Sequence, residues 1–181
     1  WLLQADAAEA DWVAAGDSLK AVSRRDSAPL LAGRVFCSTG YFFERQIMDR
    51  PDSQPMNRAL SVTLIGRLPV SVEIAAVLYA PGAGGDADLL SGAACLRDER
   101  STALVLPREG RAVVFASADS LDLDPQVAAC DFVLVAGLAP GRTYALERSG
   151  VGTGQKLRLA PADEGTLRAS EAGNLVLEKT Y

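Results

Sequence analysis

The sequence predicts an all-β protein, an antiparallel β-sandwich with little helix. Short runs rich in Val, Leu, Thr, Phe and Tyr recur along the chain, and each is closed by Gly, Pro, Asp or Asn. The runs follow one another at intervals of about 8 to 12 residues, which is typical of sandwiches and barrels. No segment alternates a strand with an amphipathic helix, as a parallel α/β sheet requires.

The predicted strands are short and mostly apolar. In chain order they are 60–65, 70–79, 103–106, 112–116, 132–135, 143–147, 156–159, 166–169 and 175–178. In 157–159 and again in 175–179, apolar and polar residues alternate with a period near two, so one face of that sheet is expected to be exposed. Turn residues predict tight connections at 107–110, 139–142, 163–165 and 172–174.

Three segments interrupt this rhythm. Residues 41–58 and 81–97 are predicted as long loops, which in compact domains are usually functional or disordered. Residues 5–15 are rich in Ala, but their apolar positions form no helical stripe. This segment is therefore predicted as a loop or a short turn.

Composition and charge narrow the class of protein. Hydrophobic residues make up 49% of the 181 residues and charged residues 23%, which is typical of a folded globular chain. The length fits a single β-sandwich domain spanning 1–181, and the start at Trp1 suggests a fragment or the C-terminal part of a larger protein. The net charge of -5, with both signs mixed, argues against nucleic-acid binding. The apolar runs are far shorter than the roughly 20 residues of a membrane span.

The chain contains no histidine. This removes the usual base of a Ser or Cys nucleophile and the commonest transition-metal ligand. Carboxylates such as Asp122 and Asp124 are interpreted as solvated surface charges, since the sequence does not pair them in space. We therefore predict no catalytic residue, no cofactor and no metal in this chain.

The three cysteines are Cys37, Cys95 and Cys130. They are too far apart in sequence for a zinc knuckle, in which paired ligands are separated by roughly two to four residues. Two interpretations remain open: buried thiols, which behave as small hydrophobes, or one disulfide between Cys95 and Cys130.

Three segments carry a resemblance to a known family. The opening Trp1 to Gln4 resembles the first strand of the C-terminal β-domain of heparinase II/III-like polysaccharide lyases, where a Trp-Leu-Leu-His string occurs; Gln4 stands in place of the His. Residues 77–81 are similar to that family's Val-Leu-Tyr-Pro-like strand end. Residues 137–144 resemble its Gly-Leu-x-Pro-Gly-x-x-Tyr turn, which also occurs in fibronectin-like and other β-sandwich modules.

The resemblance implies a parent enzyme that cleaves acidic polysaccharide by β-elimination, with Tyr and His groups abstracting the proton beside a uronate carboxyl. In that family these groups belong mainly to an N-terminal helical toroid and an adjoining sheet, neither of which is found in this sequence. The chain then represents an accessory C-terminal sandwich whose partner is the toroid of the same protein. It also implies a periplasmic or secreted location. No functional residue of the family carries over to a position here.

Aromatic rings in loop-like sequence are candidates for contact with a sugar. Trp12 and Tyr41, with Phe42 and Phe43 beside the latter, are interpreted as rings able to stack on a pyranose, and Arg45 or Arg50 as a carboxylate partner. Core packing or an interface is the competing interpretation for each ring.

Two other functions stay open. A freestanding carbohydrate-binding module predicts a row of exposed aromatic residues on one sheet face. A structural or adhesive β-domain predicts a large apolar patch and self-association without sugar binding.

Overall fold

The chain divides into two compact units, residues 1–90 and 91–181, where the sequence predicted one domain. The computed structural model describes residues 2–6, 10–23, 25–26, 28–48, 57–64, 73–80, 90–150 and 156–179. In the described residues, each unit contains two β-sheets. The predicted all-β, sandwich-like fold with little helix is confirmed.

The described part of the first unit contains seven strands. They are β1 (Leu2–Asp6), β2 (Ala10–Ala15), β3 (Ser18–Ser23), β4 (Pro29–Cys37), β5 (Tyr41–Met48), β6 (Asn57–Leu64) and β7 (Ile74–Tyr79). One sheet has the order β1-β6-β5 and the other β2-β3-β4-β7. All their pairings are antiparallel.

The β2–β3 hairpin sets the alternation that builds the first core. Ala15 pairs with Ser18, so Gly16 and Asp17 form a two-residue turn, and Gly16 has a φ of 59°. The strand alternation then directs Trp12, Leu19 and Val35 into one buried cluster. Tyr41 of the other sheet packs against it, so side chains of both sheets contribute to this core.

The described part of the second unit contains nine strands and one short α-helix. They are β8 (Ala94–Arg97), β9 (Ser101–Leu106), β10 (Arg111–Ala116), β11 (Leu121–Leu123), α1 (Pro125–Ala128), β12 (Phe132–Ala136), β13 (Thr143–Ser149), β14 (Lys156–Pro161), β15 (Leu167–Arg168) and β16 (Leu175–Glu178). The sheet orders are β16-β12-β10-β9-β8 and β11-β14-β13-β15.

One pairing departs from the predicted antiparallel arrangement: β10 and β12 run parallel. Between them the chain enters the other sheet as β11 and then forms α1. The Asp124 side chain accepts a hydrogen bond of 2.8 Å from the Gln126 amide, and Pro125 occupies the first helical position. This cap and turn return the chain to the first sheet in the parallel direction.

The core of the second unit lies between its two sheets. The alternating residues Val133 and Val135 of β12, and Leu157 and Leu159 of β14, are buried in one cluster with Leu175 and Leu177 of β16. Tyr144 is its largest fully buried side chain. Burial of aliphatic side chains, worth roughly 25 cal/mol per Å², is therefore the main force that holds the two sheets together.

The strand predictions agree with the structure over most of the second unit. Strands form in each of the nine predicted segments, although residues 65 and 70–72 lie outside the described part. Two predicted loops are wrong over their described residues: 5–15 contains the end of β1 and all of β2, and 41–58 contains β5 and the start of β6. Residues 7–9 and 49–56 lie outside the described part. Of the loop predicted at 81–97, residues 81–89 lie outside the described residues and 94–97 form β8.

Candidate functional site

Trp12 does not form the sugar-contacting surface that the sequence suggested. It lies on β2, not in a loop, and only 4% of it is exposed. The alternation of β2 directs it inward with Ala10, whereas Val13 points outward and is 47% exposed. Trp12 is therefore a core residue of the first unit.

The Tyr41 side chain also packs against the core of the first unit and does not line an open site. Its hydroxyl donates a hydrogen bond of 2.7 Å to the Val35 carbonyl, and its ring meets that of Phe43 edge to face at 5.7 Å. Burial, followed by the negative charge of Asp17, raises the pKa of the Tyr41 phenol. Phe42, the intervening residue, is 47% exposed. Trp12 and Tyr41 are thus brought together, but in one packed cluster.

Arg45 lies on β5, and its side chain lies outside the described part of the structure, as does all of Arg50. Arg34 of β4 forms an ion pair with Asp17 of the β2–β3 turn. The Arg34 guanidinium also lies 5.6 Å from the centre of the Phe36 ring. Sequence reasoning missed this pair because the two residues are 17 positions apart.

The structure contains no disulfide between any two of the three cysteines, so Cys95 is not joined to Cys130. Cys95 lies on β8, whereas Cys130 lies two residues before β12, and β9 and β10 separate the strands β8 and β12. Three interstrand spacings amount to about 14 Å, well beyond the Cα separation of about 7 Å that a disulfide tolerates. Cys130 instead donates a hydrogen bond of 3.4 Å to the Gln126 carbonyl.

Two carboxylates considered from the sequence, Asp122 and Asp124, each interact with a neighbouring residue of the second unit. Asp124 caps α1, and Asp122 is an exposed residue 3.9 Å from Arg158. In the part of the chain that the structure describes, no three Asp, Glu or Cys side chains lie close enough to hold a metal ion.

A cleft of about 300 Å³ opens in the second unit beside the edge strand β16. Leu146, Leu157 and Leu167 contribute apolar walls, and Arg148 and Glu178 contribute charges. None of the lining residues is aromatic. The cleft therefore lacks the flat rings on which sugars stack.

The outer face of the five-stranded sheet in the second unit carries exposed apolar side chains. We call the following residues of β10, β12 and β16 the outer-sheet patch: Val113, Phe115, Phe132, Leu134 and Val176. Phe115 is 48% exposed and Val176 46% exposed, and the other three are half-buried. These residues alternate with the buried ones, so they face away from the core.

The strand register organises the outer-sheet patch into rows. Leu134 is flanked by Val113 on one side and by Val176 on the other. Two residues before Leu134 on the same strand, Phe132 is flanked by Arg111 and Glu178, which are both exposed. The Arg111 guanidinium lies 6.0 Å from the centre of the Phe132 ring. The patch is therefore an apolar surface bordered by one positive and one negative charge.

The chain matches no protein family, no curated protein and no solved structure. Among the described residues, no helix has the length and apolar character needed to cross a membrane. The fold alone defines the class: an all-β protein of the sandwich type, built as two units.

Proposed function

We propose that this chain is a non-catalytic accessory β-sandwich region of a heparinase II/III-like polysaccharide lyase. The observation that carries the proposal is the corner at 137–144, the segment of closest resemblance to that family. Gly137 and Gly141 have positive φ values of 87° and 67°, and Tyr144 is fully buried below them. Residues 137–144 thus form the turn that connects β12 to β13 and place Tyr144 in the core of the second unit.

The proposal assigns the chemistry to residues outside this chain. In β-elimination a base removes the proton beside the uronate carboxyl, the glycosidic carbon–oxygen bond breaks, and an unsaturated sugar remains. The lack of histidine in the chain is consistent with that division. On this proposal the acidic polysaccharide is the substrate of the whole protein, which acts in the periplasm or outside the cell.

The partner of the accessory region is then the helical toroid of the same protein. A suitable contact surface is the outer face of the four-stranded sheet in the first unit, where Val13 is exposed and Phe36 and Tyr79 are half-buried. Burying such a face contributes to stability in proportion to its apolar area, by roughly 25 cal/mol per Å².

The test is the mass and activity of the native gene product, purified from its source. We expect a product much larger than the 19.0 kDa of this chain. It should release unsaturated uronate ends from an acidic polysaccharide, detected by their ultraviolet absorbance, and this chain alone, the matched control, should release none. A native product of about 19.0 kDa without lyase activity would contradict the proposal.

The outer-sheet patch favours a second candidate, a structural or adhesive β-sandwich module. This candidate requires an apolar surface that binds another protein, and the patch supplies one on three adjacent strands. A carbohydrate-binding module is less well supported, because only Phe42 and Phe115 are strongly exposed aromatic side chains among those described, and they belong to different units. A small native product that self-associates and ignores sugars would favour the second candidate.

A further inference from the structure

We propose that the outer-sheet patch of the second unit is a self-complementary surface that binds the same patch of a second copy of this chain. The proposal goes beyond the accessory role, and its test does not depend on that role. It rests on the symmetry of the side chains about strand β12.

The flanking residues form pairs that a two-fold axis exchanges. Strands β10 and β16 lie on either side of β12, each at a spacing of about 4.8 Å. An axis parallel to β12 and passing over it places the β10 of one copy above the β16 of the other. Leu134 then meets Leu134 of the second copy, and Val113 meets Val176.

The two charged residues that border the patch are related by the same two-fold axis. Arg111 and Glu178 are level with Phe132, on opposite sides of it. The two-fold axis therefore sets Arg111 of each copy opposite Glu178 of the other. This gives two ion pairs, each between opposite charges, at the border of the apolar contact. A two-fold interface requires such self-complementarity, because the same patch must serve both partners. Complementary charges also fix the register of the two copies.

The arrangement agrees with known sheet packing. Two sheets stacked face to face lie about 10 Å apart, with strands within about 30° of alignment. An axis parallel to the central strand produces this aligned arrangement. Val176 and Phe115, nearly half exposed in one copy, would become covered.

The size of the patch sets the expected affinity. Three strands about 4.8 Å apart and five residues with a rise of about 3.4 Å give a face of roughly 14 by 17 Å. Such a face covers roughly 240 Å² per copy, so the contact is smaller than stable specific interfaces, which bury about 1,000 Å² or more in total, and its size is that of a weak, transient contact. We therefore expect a weak, reversible dimer with a dissociation constant on the order of 100 µM.

Sedimentation velocity of this chain from about 1 µM to about 200 µM, a range that spans the expected dissociation constant, tests the proposal. We expect the mass to rise from 19.0 kDa towards twice that value with concentration. Val176→Asp should hold the chain monomeric throughout. Val13→Asp, an equally exposed valine of the first unit, is the matched control and should dimerise like the wild type.

A charge exchange makes the test specific for the predicted register. Arg111→Glu sets like charges opposite each other twice in the dimer and should weaken association at least about tenfold. The double variant Arg111→Glu with Glu178→Arg should restore it to within about threefold, because the opposite charges meet again. Circular dichroism checks that every variant is folded.

Three results would overturn the proposal. The wild type could remain monomeric at all concentrations, the dimer could be unaffected by Val176→Asp, or the double charge exchange could fail to restore association. Lyase activity of the native product is a separate readout, so loss of one proposal leaves the other to its own experiment.

Discussion

The Ala139 amide donates a hydrogen bond of 3.2 Å to the hydroxyl of Tyr144, five residues further along the chain. The Tyr144 ring is fully buried in the second core, so this bond ties the β12–β13 connection to the interior of the sandwich. The Leu138 amide also bonds the Gly173 carbonyl at 3.0 Å. The corner therefore joins three separate parts of the second unit.

Replacing Tyr144 by Phe should lower the free energy of unfolding of the second unit by about 1 to 1.5 kcal/mol. The change removes the hydroxyl that accepts the Ala139 hydrogen bond and leaves the buried ring in place. Urea unfolding followed by circular dichroism measures the effect. Tyr79→Phe, at a half-buried site of the first unit, should change stability little; equal effects of the two variants would contradict the assigned role.

Gly137→Ala should destabilise the protein more than Gly16→Ala. Both glycines have positive φ values, which for an L-residue cost roughly 1 to 2 kcal/mol. A Cβ atom at Gly137 would in addition lie 2.7 Å from the Ala116 carbonyl oxygen, whereas at Gly16 it meets nothing within 4 Å. The resulting shift of backbone should add about 1 to 3 kcal/mol. Thermal unfolding of the two variants compares them, and a smaller loss for Gly137→Ala would refute this account.

Trp12→Ala should cost about 3 to 5 kcal/mol of stability, because it leaves a large cavity in the first core. Both tryptophans of the chain lie in residues 1–90, so unfolding of this variant is best followed by circular dichroism. Val13→Ala, at the exposed neighbouring position, is the control and should have little effect. A stable Trp12→Ala variant with weakened sugar binding would instead restore the surface interpretation.

The success of the strand predictions and the failure of the site predictions have different physical causes. Strands such as β16 were predictable because Leu175 and Leu177 alternate with Val176 and Glu178 between turn residues. Strand β5 was missed because Glu44, Arg45 and Gln46 interrupt its apolar pattern. A lone Trp in an Ala-rich segment gives no sign of burial, although the Gly16–Asp17 turn was a usable hairpin signal.

Features that depend on the pairing of strands distant in sequence could not be predicted from the sequence. The outer-sheet patch needs β10, β12 and β16 side by side, and neither their order nor the parallel direction of β10 and β12 follows from composition. The division into two units had a local signal: the glycine-rich residues 81–89 precede the boundary after residue 90. Such segments often mark domain linkers.

Cys130 should react with an alkylating reagent at neutral pH at least about tenfold more slowly than Cys37. Cys130 is buried and Cys37 only half-buried. Burial, followed by the negative charge of Asp131, raises the pKa of the Cys130 thiol and so lowers the reactive thiolate fraction. Peptide mass spectrometry of a labelling time course measures both rates, and urea-unfolded protein should label both equally. Faster labelling of Cys130 in the folded protein would contradict its placement.

The ion pair between Asp17 and Arg34 should make the first unit more stable at neutral pH than in acid. Partial burial alone raises the pKa of Asp17, but the hydrogen bond and positive charge of Arg34 outweigh it, so the pKa is lowered from 3.8. A carboxyl with a lowered folded-state pKa contributes stability above its unfolded pKa, and this contribution is lost as the pH falls through the folded value.

Asp17→Asn should therefore be less stable than the wild type at pH 7, and the two proteins should converge below the unfolded-state value of 3.8. Because the Asp17 side chain is 38% exposed, solvent screening limits the difference to less than about 1 kcal/mol. Urea unfolding followed by tryptophan fluorescence reports on the first unit, which contains both tryptophans. Asp122→Asn, an exposed change in the second unit, is the control, and a stability difference for Asp17→Asn that persisted unchanged in acid would show that the ion pair is not its source.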